Sequence, residues 1–234
     1  MKDLLSEAAE EPDAWYHAPL GAWVEEREQK LLLEVLNLRA GQTVVDINAG
    51  TGRLARTLAA STGIHLIAVE PGESMRVLGE ARTRGLAVEW RSGGPEHLPV
   101  DDAAADVVLL ITVLDFVPDR ACVLEEARRT LRPGGKLIVG ALDVLSPWAA
   151  LYHHLGQQGI GPWANAQLWT PDGLAQFLGI SDSDVRGCVF LAPAAQPPYP
   201  EADAAGERAG NRPAFLVATW TKRSAGASIW PHLL

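Results

Sequence analysis

Asp46, Asn48, Gly50 and Gly52 fall on alternate positions of Val44-Val45-Asp46-Ile47-Asn48-Ala49-Gly50-Thr51-Gly52-Arg53-Leu54. An acid, an amide and two glycines at that spacing describe a loop that can hold a polar ligand. The glycines let backbone come close to it with no Cβ in the way, and the acid offers a charge partner. Glu70 follows 24 positions after Asp46, at the end of the apolar run 64–69. An acidic residue about 20 positions beyond a glycine loop reaches the hydroxyls of a ribose in βαβ units, and its two oxygens suit a vicinal diol. Groups that could move a proton near such a ligand are Tyr16, His17 and Asp115, with Asp143, His153 and His154 behind them. Adjacent histidines point to different helix faces, which disfavours a metal site, and none is expected.

The elements that must position these residues are legible as alternating patterns. The β-branched run 44–47 is a strand, and Leu54-Ala55-Arg56-Thr57-Leu58-Ala59 has helical spacing. Residues 64–69 form a second strand. Pro71-Gly72-Glu73-Ser74 opens a helix with Met75, Val77, Leu78 and Ala81 as its inner face, and residues 86–90 form a third strand. Ser92-Gly93-Gly94-Pro95-Glu96-His97-Leu98-Pro99 is a loop. Residues 106–111 are nearly all apolar, as a central parallel strand buried on both faces requires. That strand ends so that Ile111, Thr112 and Asp115 stand at its carboxyl edge. Pro118-Asp119 begins a helix with Val123, Leu124, Ala127 and Leu131 inside and Arg128, Arg129 and Arg132 near the C-terminus, where cations complement the dipole. Pro133-Gly134-Gly135 breaks the chain before a fifth strand, Lys136 to Leu142.

Outside this alternation, a short helix over 4–9 ends at Pro12, and the aromatic cluster Trp15-Tyr16-His17 precedes a longer helix from Pro19 to about Asn37. Trp15 and Tyr16 suit either a ligand wall or a core anchor. Residues 143–180 read as a lid-like helical insertion with Trp148, Trp163 and Trp169, and Thr170-Pro171 is a helix start. Residues 185–191 and 214–220 form two last strands that pair antiparallel, joined by a Pro/Ala-rich linker from Pro193 to about Asn211. The expected fold is α/β, a single domain over 1–234: a doubly wound, mostly parallel seven-stranded sheet with an antiparallel edge strand. Helices cover both faces, 1–40 forms an N-terminal helical cap and 143–180 the lid.

The chain has 234 residues, 47% hydrophobic, with a formal net charge of −9. That field repels phosphate backbones, so nucleic acid is not an expected partner. No apolar run approaches the roughly 20 residues that span a bilayer, so no membrane insertion is expected. Only Cys122 and Cys188 are present, without metal or disulfide spacing, and a cytoplasmic location is expected.

Two ligand classes compete for the first loop. A dinucleotide site wants Gly-x-Gly-x-x-Gly, where bare amides at a helix N-terminus receive a pyrophosphate, as in NAD-dependent oxidoreductases. Asp46 would repel that pyrophosphate and favours a ligand with a cationic amino-acid end. Here the chain closely resembles the class I, Rossmann-like S-adenosylmethionine (SAM)-dependent methyltransferases, in particular the small-molecule enzymes of the ubiquinone/menaquinone type. The matching stretches are the loop 44–54, Ala68-Val69-Glu70-Pro71, Glu96-His97-Leu98-Pro99-Val100, Asp106-Val107-Val108, Val113-Leu114-Asp115-Phe116-Val117 and Leu131-Arg132-Pro133-Gly134-Gly135.

The resemblance implies a cofactor, SAM, with S-adenosylhomocysteine (SAH) as product, and a small-molecule methyl acceptor as partner. It implies that Asp46, Asn48, Ala49, Gly50 and Gly52 line the methionine side and Glu70 holds the ribose. Pro71 and Met75 would flank the adenine, Gly94, Pro95 and Glu96 would frame the base edge, and Ile111 and Thr112 would pass beneath. Two positions depart from the family pattern. Asn48 stands where a glycine is usual, and Gly94 where an Asp usually meets the adenine amino group. Asn tolerates the left-handed backbone region best after Gly. A binder of SAM or SAH that transfers no methyl is the alternative those departures raise.

Overall fold

The computed structural model describes residues 13–223; the helix expected over 4–9 lies outside the described residues. The chain runs α1 (Ala14–His17), α2 (Pro19–Leu36), β1 (Thr43–Ile47), α3 (Arg53–Thr62), β2 (His65–Val69), α4 (Glu73–Arg82) and β3 (Val88–Arg91). It continues through β4 (Ala105–Ile111), α5 (Arg120–Thr130), β5 (Leu131–Leu142), α6 (Ala149–Gln157), α7 (Pro171–Leu178), β6 (Val185–Cys188), α8 (Tyr199–Arg208) and β7 (Phe215–Thr221). The seven strands form one sheet in the order β3-β2-β1-β4-β5-β7-β6. Strands β1 to β5 are parallel, and β7 runs antiparallel between β5 and β6.

Period-two alternation assigns the strand side chains to two apolar layers. Val44, Leu66, Val107, Leu109 and Ile138 face Leu31, Leu32, Leu36 and Leu58 of α2 and α3. Val45, Ile67, Val108, Leu110 and Val139 face Val123, Leu124 and Ala127 of α5 and Leu174 and Leu178 of α7. The strand order reverses between β1 and β4, so the carboxyl ends of those strands part and leave a crevice. That switch point is where open α/β sheets bind ligands.

Four local expectations need correction. Val77 and Leu78 are exposed, and the sheet side of α4 is instead made by Gly79. The Trp90 indole lies so close that a Cβ on Gly79 would sit 2.1 Å from it. Pro133-Gly134-Gly135 does not separate α5 from β5 but lies within β5, where the register against β4 shifts. Gly134, at φ +80°, donates its N–H to Lys222 O at 2.8 Å. The supposed linker contains α8, opened by Pro198 and Pro200 and rich in helix-forming Ala and Glu. Its buried Asp203 accepts hydrogen bonds from the Phe190 and Leu191 N–H groups. The strand expected over 185–191 stops at Cys188, because Val189 takes a positive φ of 66°.

Of the tryptophans of 143–180, Trp148 and Trp169 are buried and Trp163 is half-buried. Trp148 is 2% exposed and donates to Leu191 O at 2.9 Å, and Trp169 is buried beneath Arg120. Trp163 stacks flat on Tyr152 with ring centres 4.3 Å apart.

Candidate active site

Four left-handed backbone residues follow the carboxyl ends of β1 and β4. After β1 come Asn48 (φ +61°), Gly50 (+57°) and Gly52 (+74°), and after β4 comes Thr112 (+55°), which donates its N–H to Gly140 O at 2.8 Å.

 Asn48 thus supplies the backbone geometry of the glycine it replaces. Thr112 is β-branched and strained there, and its N–H and Oγ1 are both occupied, on Gly140 O and Ile111 O. The turns re-aim the chain out of the sheet and leave a cleft of about 260 Å³.

Asp46, Asn48, Ala49, Gly50, Met75, Ile111 and Thr112 line that cleft, together with Tyr16. These are seven of the residues expected at the cofactor and one expected at the chemistry. Asp46 is 3% exposed and has no hydrogen-bond or ion-pair partner among the described residues. Burial, followed by the nearby charge of Glu70, pushes its carboxyl up to about 7. Glu70 sits behind the loop. Its Oε2 accepts from Gly50 N–H and its Oε1 from Gly72 N–H, both at 2.8 Å. Each oxygen retains a second lone pair for a ligand hydroxyl.

The other expected residues are placed differently. Gly52 faces packing rather than the cleft: a Cβ there would lie 2.8 Å from the Trp90 ring and 3.0 Å from the Gly79 Cα. Pro71 follows Glu70 and is exposed. Gly94, Pro95 and Glu96 make a turn closed by His97 N–H on Gly94 O at 3.2 Å, outside the cleft lining. A Cβ on Gly94 would meet Glu96 Oε2 at 3.4 Å, so the Glu96 carboxylate reaches the space beside the missing side chain.

His17 is exposed and does not line the cleft. Asp115 is 1% exposed and lies behind it, accepting from Leu142 N–H at 3.1 Å while its own carbonyl receives Gln167 N–H. Burial pushes its carboxyl up to about 7, opposed by the Leu142 N–H and by Arg120. It fastens the β4 and β5 ends to the segment before Trp169. Asp143 is fully buried, caps Leu145 N–H at 2.8 Å and meets Arg212 at 3.5 Å. His153 bonds Gln157, and neither it nor His154 lines the cleft.

The far wall was not legible in advance. Asp13, Glu25, Glu28, Gln29 and Arg53 also line the cleft. Arg53 forks onto Glu25, with Nε at 2.6 Å and Nη2 on the second oxygen, and its guanidinium lies 4.6 Å from the Tyr16 ring centre. Asp13 accepts from Thr51 and from Arg82. Glu28 has no hydrogen-bond or ion-pair partner among the described residues, and burial beside Glu25 pushes it up to about 8. The only signal in the chain was Glu25-Glu26-Arg27-Glu28 on an amphipathic helix, which reads as a solvated face.

The donor set therefore favours a cationic ligand. Two carboxylates are neutralised by arginines, while Asp46 and Glu28 are not. A pyrophosphate between them would be repelled; a ligand with an ammonium and a sulfonium would supply the missing charge. The cleft fits SAM and disfavours a dinucleotide. Among the described residues no group of His, Cys, Asp and Glu could hold a metal ion.

Residues 45–139 match the family described as "Methyltransferase domain". An uncharacterized protein of Mycobacterium tuberculosis is 33% identical over 186 residues, which are 80% of this chain and 61% of that protein. A demethylmenaquinone methyltransferase of Beutenbergia cavernae is 31% identical over 147 residues, 62% of this chain and 60% of that one. The chain thus spans less than two thirds of the length of these relatives. The crystal structure of a SAM-dependent methyltransferase from Thermotoga maritima superposes with a TM-score of 0.67 at 25% identity, covering 94% of this chain and 99% of that one.

Proposed function

We propose that the chain is a class I, Rossmann-like SAM-dependent methyltransferase that transfers a methyl group from SAM to a small-molecule acceptor, a reading supported by the match to the methyltransferase domain and by the fold shared with a SAM-dependent methyltransferase. The observation that carries the reading is the unpartnered, buried Asp46 facing an acidic cleft at the sheet's switch point. When bound, SAM supplies an electrophilic methyl on a sulfonium, and its leaving group departs neutral.

In this reading Asp46 pairs with the ammonium of the amino-acid end, and Asn48, Ala49 and Gly50 shape the floor beneath it. Glu70 receives the ribose hydroxyls on its spare lone pairs while Gly50 and Gly72 hold it in place. Met75 flanks the base, and Glu96 takes the amino-group contact that Gly94 lacks. Ile111 and Thr112 close the cleft from β4. Asp13, Tyr16 and the Arg53–Glu25 pair exclude water, which matters because displacement at a methyl carbon depends on alignment and a dry site. Of Tyr16, His17 and Asp115, Tyr16 is the one at the cleft, and a role in orienting the acceptor fits it better than proton loss, since burial raises its phenol far above the ordinary value.

Calorimetric titration with SAM, SAH and NAD tests the cofactor, and incubation with methyl-labelled SAM and a panel of phenols, quinols and amines tests transfer. Binding of SAM with label transfer supports the reading; binding of NAD alone would overturn it. The departures at Asn48 and Gly94 favour one second reading, a SAM or SAH binder without transfer. Tight binding with no label transferred to any acceptor or to a cell extract would favour that reading.

A further inference from the structure

Glu28 is the cleft residue that neither the fold nor the cofactor motifs account for. It projects from the middle of α2 into the same space as Asp46 and Thr112. Each cation near it is engaged elsewhere: Arg53 by Glu25, and Arg27 by Asp203 at 3.8 Å. The groups it faces are Glu25 on its own helix, Tyr16 on α1, Asp46 across the cleft on β1, Tyr152 on α6 and Cys188 on β6. Burial first, and proximity to Glu28 second, raises the Tyr16, Tyr152 and Cys188 groups above their ordinary values. Tyr152 in turn lies against Trp163 and near Trp148, so Glu28 lines the cofactor cleft within electrostatic reach of an aromatic cluster.

We infer that Glu28 is a second cation-binding carboxyl of this site, which pairs with the charged end of the methyl donor and gives up a proton as the donor enters. The inference rests on the proposed SAM site. A carboxyl held neutral in an empty cleft costs little there, whereas a carboxylate beside an incoming cation offsets the loss of solvent. The step is a simple exchange: the Glu28 O–H bond breaks, the proton passes to solvent, and the carboxylate that remains is balanced by the ligand cation. It leaves an ionised oxygen in the cleft beside the donor, where an acceptor losing an O–H or N–H proton would find a base. Donor affinity then rises with pH until Glu28 is ionised in the free protein.

Calorimetry of full-length protein in two buffers of different ionisation enthalpy, at roughly pH 7.5, reads the protons released on binding. SAM carries both cations, SAH only the ammonium, and 5′-methylthioadenosine neither. The expected result is release with SAM, none with methylthioadenosine, and a release at least halved in Glu28→Gln. Release with SAH as well assigns the ammonium as the partner, and release with SAM alone assigns the sulfonium; either supports the inference. Between about pH 7.5 and 8.5, where Asp46 is already mostly ionised, the wild-type affinity for SAM should rise about threefold and that of Glu28→Gln should change little. Glu28→Asp, which keeps the carboxyl, should retain release and serves if the Gln variant does not fold. Undiminished release in Glu28→Gln, with loss only in Asp46→Asn, would overturn the inference while leaving the SAM site intact. Failure of SAM to bind the wild type would instead overturn the proposed function, and this inference with it.

Discussion

Thr51 donates its hydroxyl to Asp13 at 2.9 Å, joining the glycine loop to a segment 38 positions earlier in the chain. Arg82 of α4 completes the contact, reaching Asp13 and both Thr51 oxygens. The N-terminal segment is therefore fixed by the loop that lines the cleft. Asp13→Ala leaves Arg82 Nη2 and the Thr51 hydroxyl without the acceptor they share. The expected cost is about 1–3 kcal/mol of stability, read by denaturant unfolding, with faster proteolysis ahead of α2.

Glu70→Ala should weaken SAM binding by tenfold or more, about 1.4 kcal/mol. The variant also frees the Gly50 and Gly72 amides that Glu70 holds, so SAH should suffer equally. An unchanged Kd by calorimetry would remove Glu70 from the ribose site.

Stability of the ligand-free protein should fall as pH rises from about 4 to about 7. Asp46 and Asp115 are both pushed up to about 7 by burial, above an unfolded carboxylate near 4. The native state then binds more protons than the unfolded state across that window, which makes stability decline with pH, by on the order of a few kcal/mol per group. Thermal melts in a pH series check this. Asp46→Asn should flatten the decline, and saturating SAM should reverse the Asp46 part of it.

Gly79→Ala should destabilise by about 1–3 kcal/mol. The new methyl would lie 2.1 Å from the Trp90 ring, whose Nε1 is anchored on Thr83 at 2.9 Å. The indole must move, so a shift in tryptophan emission should accompany the lower denaturation midpoint. Gly52→Ala meets the same ring and a left-handed backbone besides.

The sheet and the cofactor loop were legible in the sequence because they are written locally. Apolar runs such as 106–111 have no other stable use than a buried strand. The glycines, Asn48 and Asp46 act through their own backbone and strand end, so position in the chain nearly fixes position in space. Glu70 was legible for the same reason, through the short fixed reach of one βαβ unit.

What only the tertiary structure decided is which polar side chains share the crevice. Glu28 and Asp115 look alike as acids near structured elements, yet the twist of α2 brings Glu28 into the cleft while β5 closes over Asp115. The inner face of α4 was likewise settled by Trp90, a residue on another strand that needs a glycine opposite it. Helix α8 was concealed by its prolines, which punctuate a linker or open a helix depending on what the following turn can bury. Here it buries Asp203 against the Phe190 and Leu191 amides. Sequence periodicity fixes which elements form. Contacts between distant elements decide which charges are paired, which are left without a partner, and so where a cation is wanted.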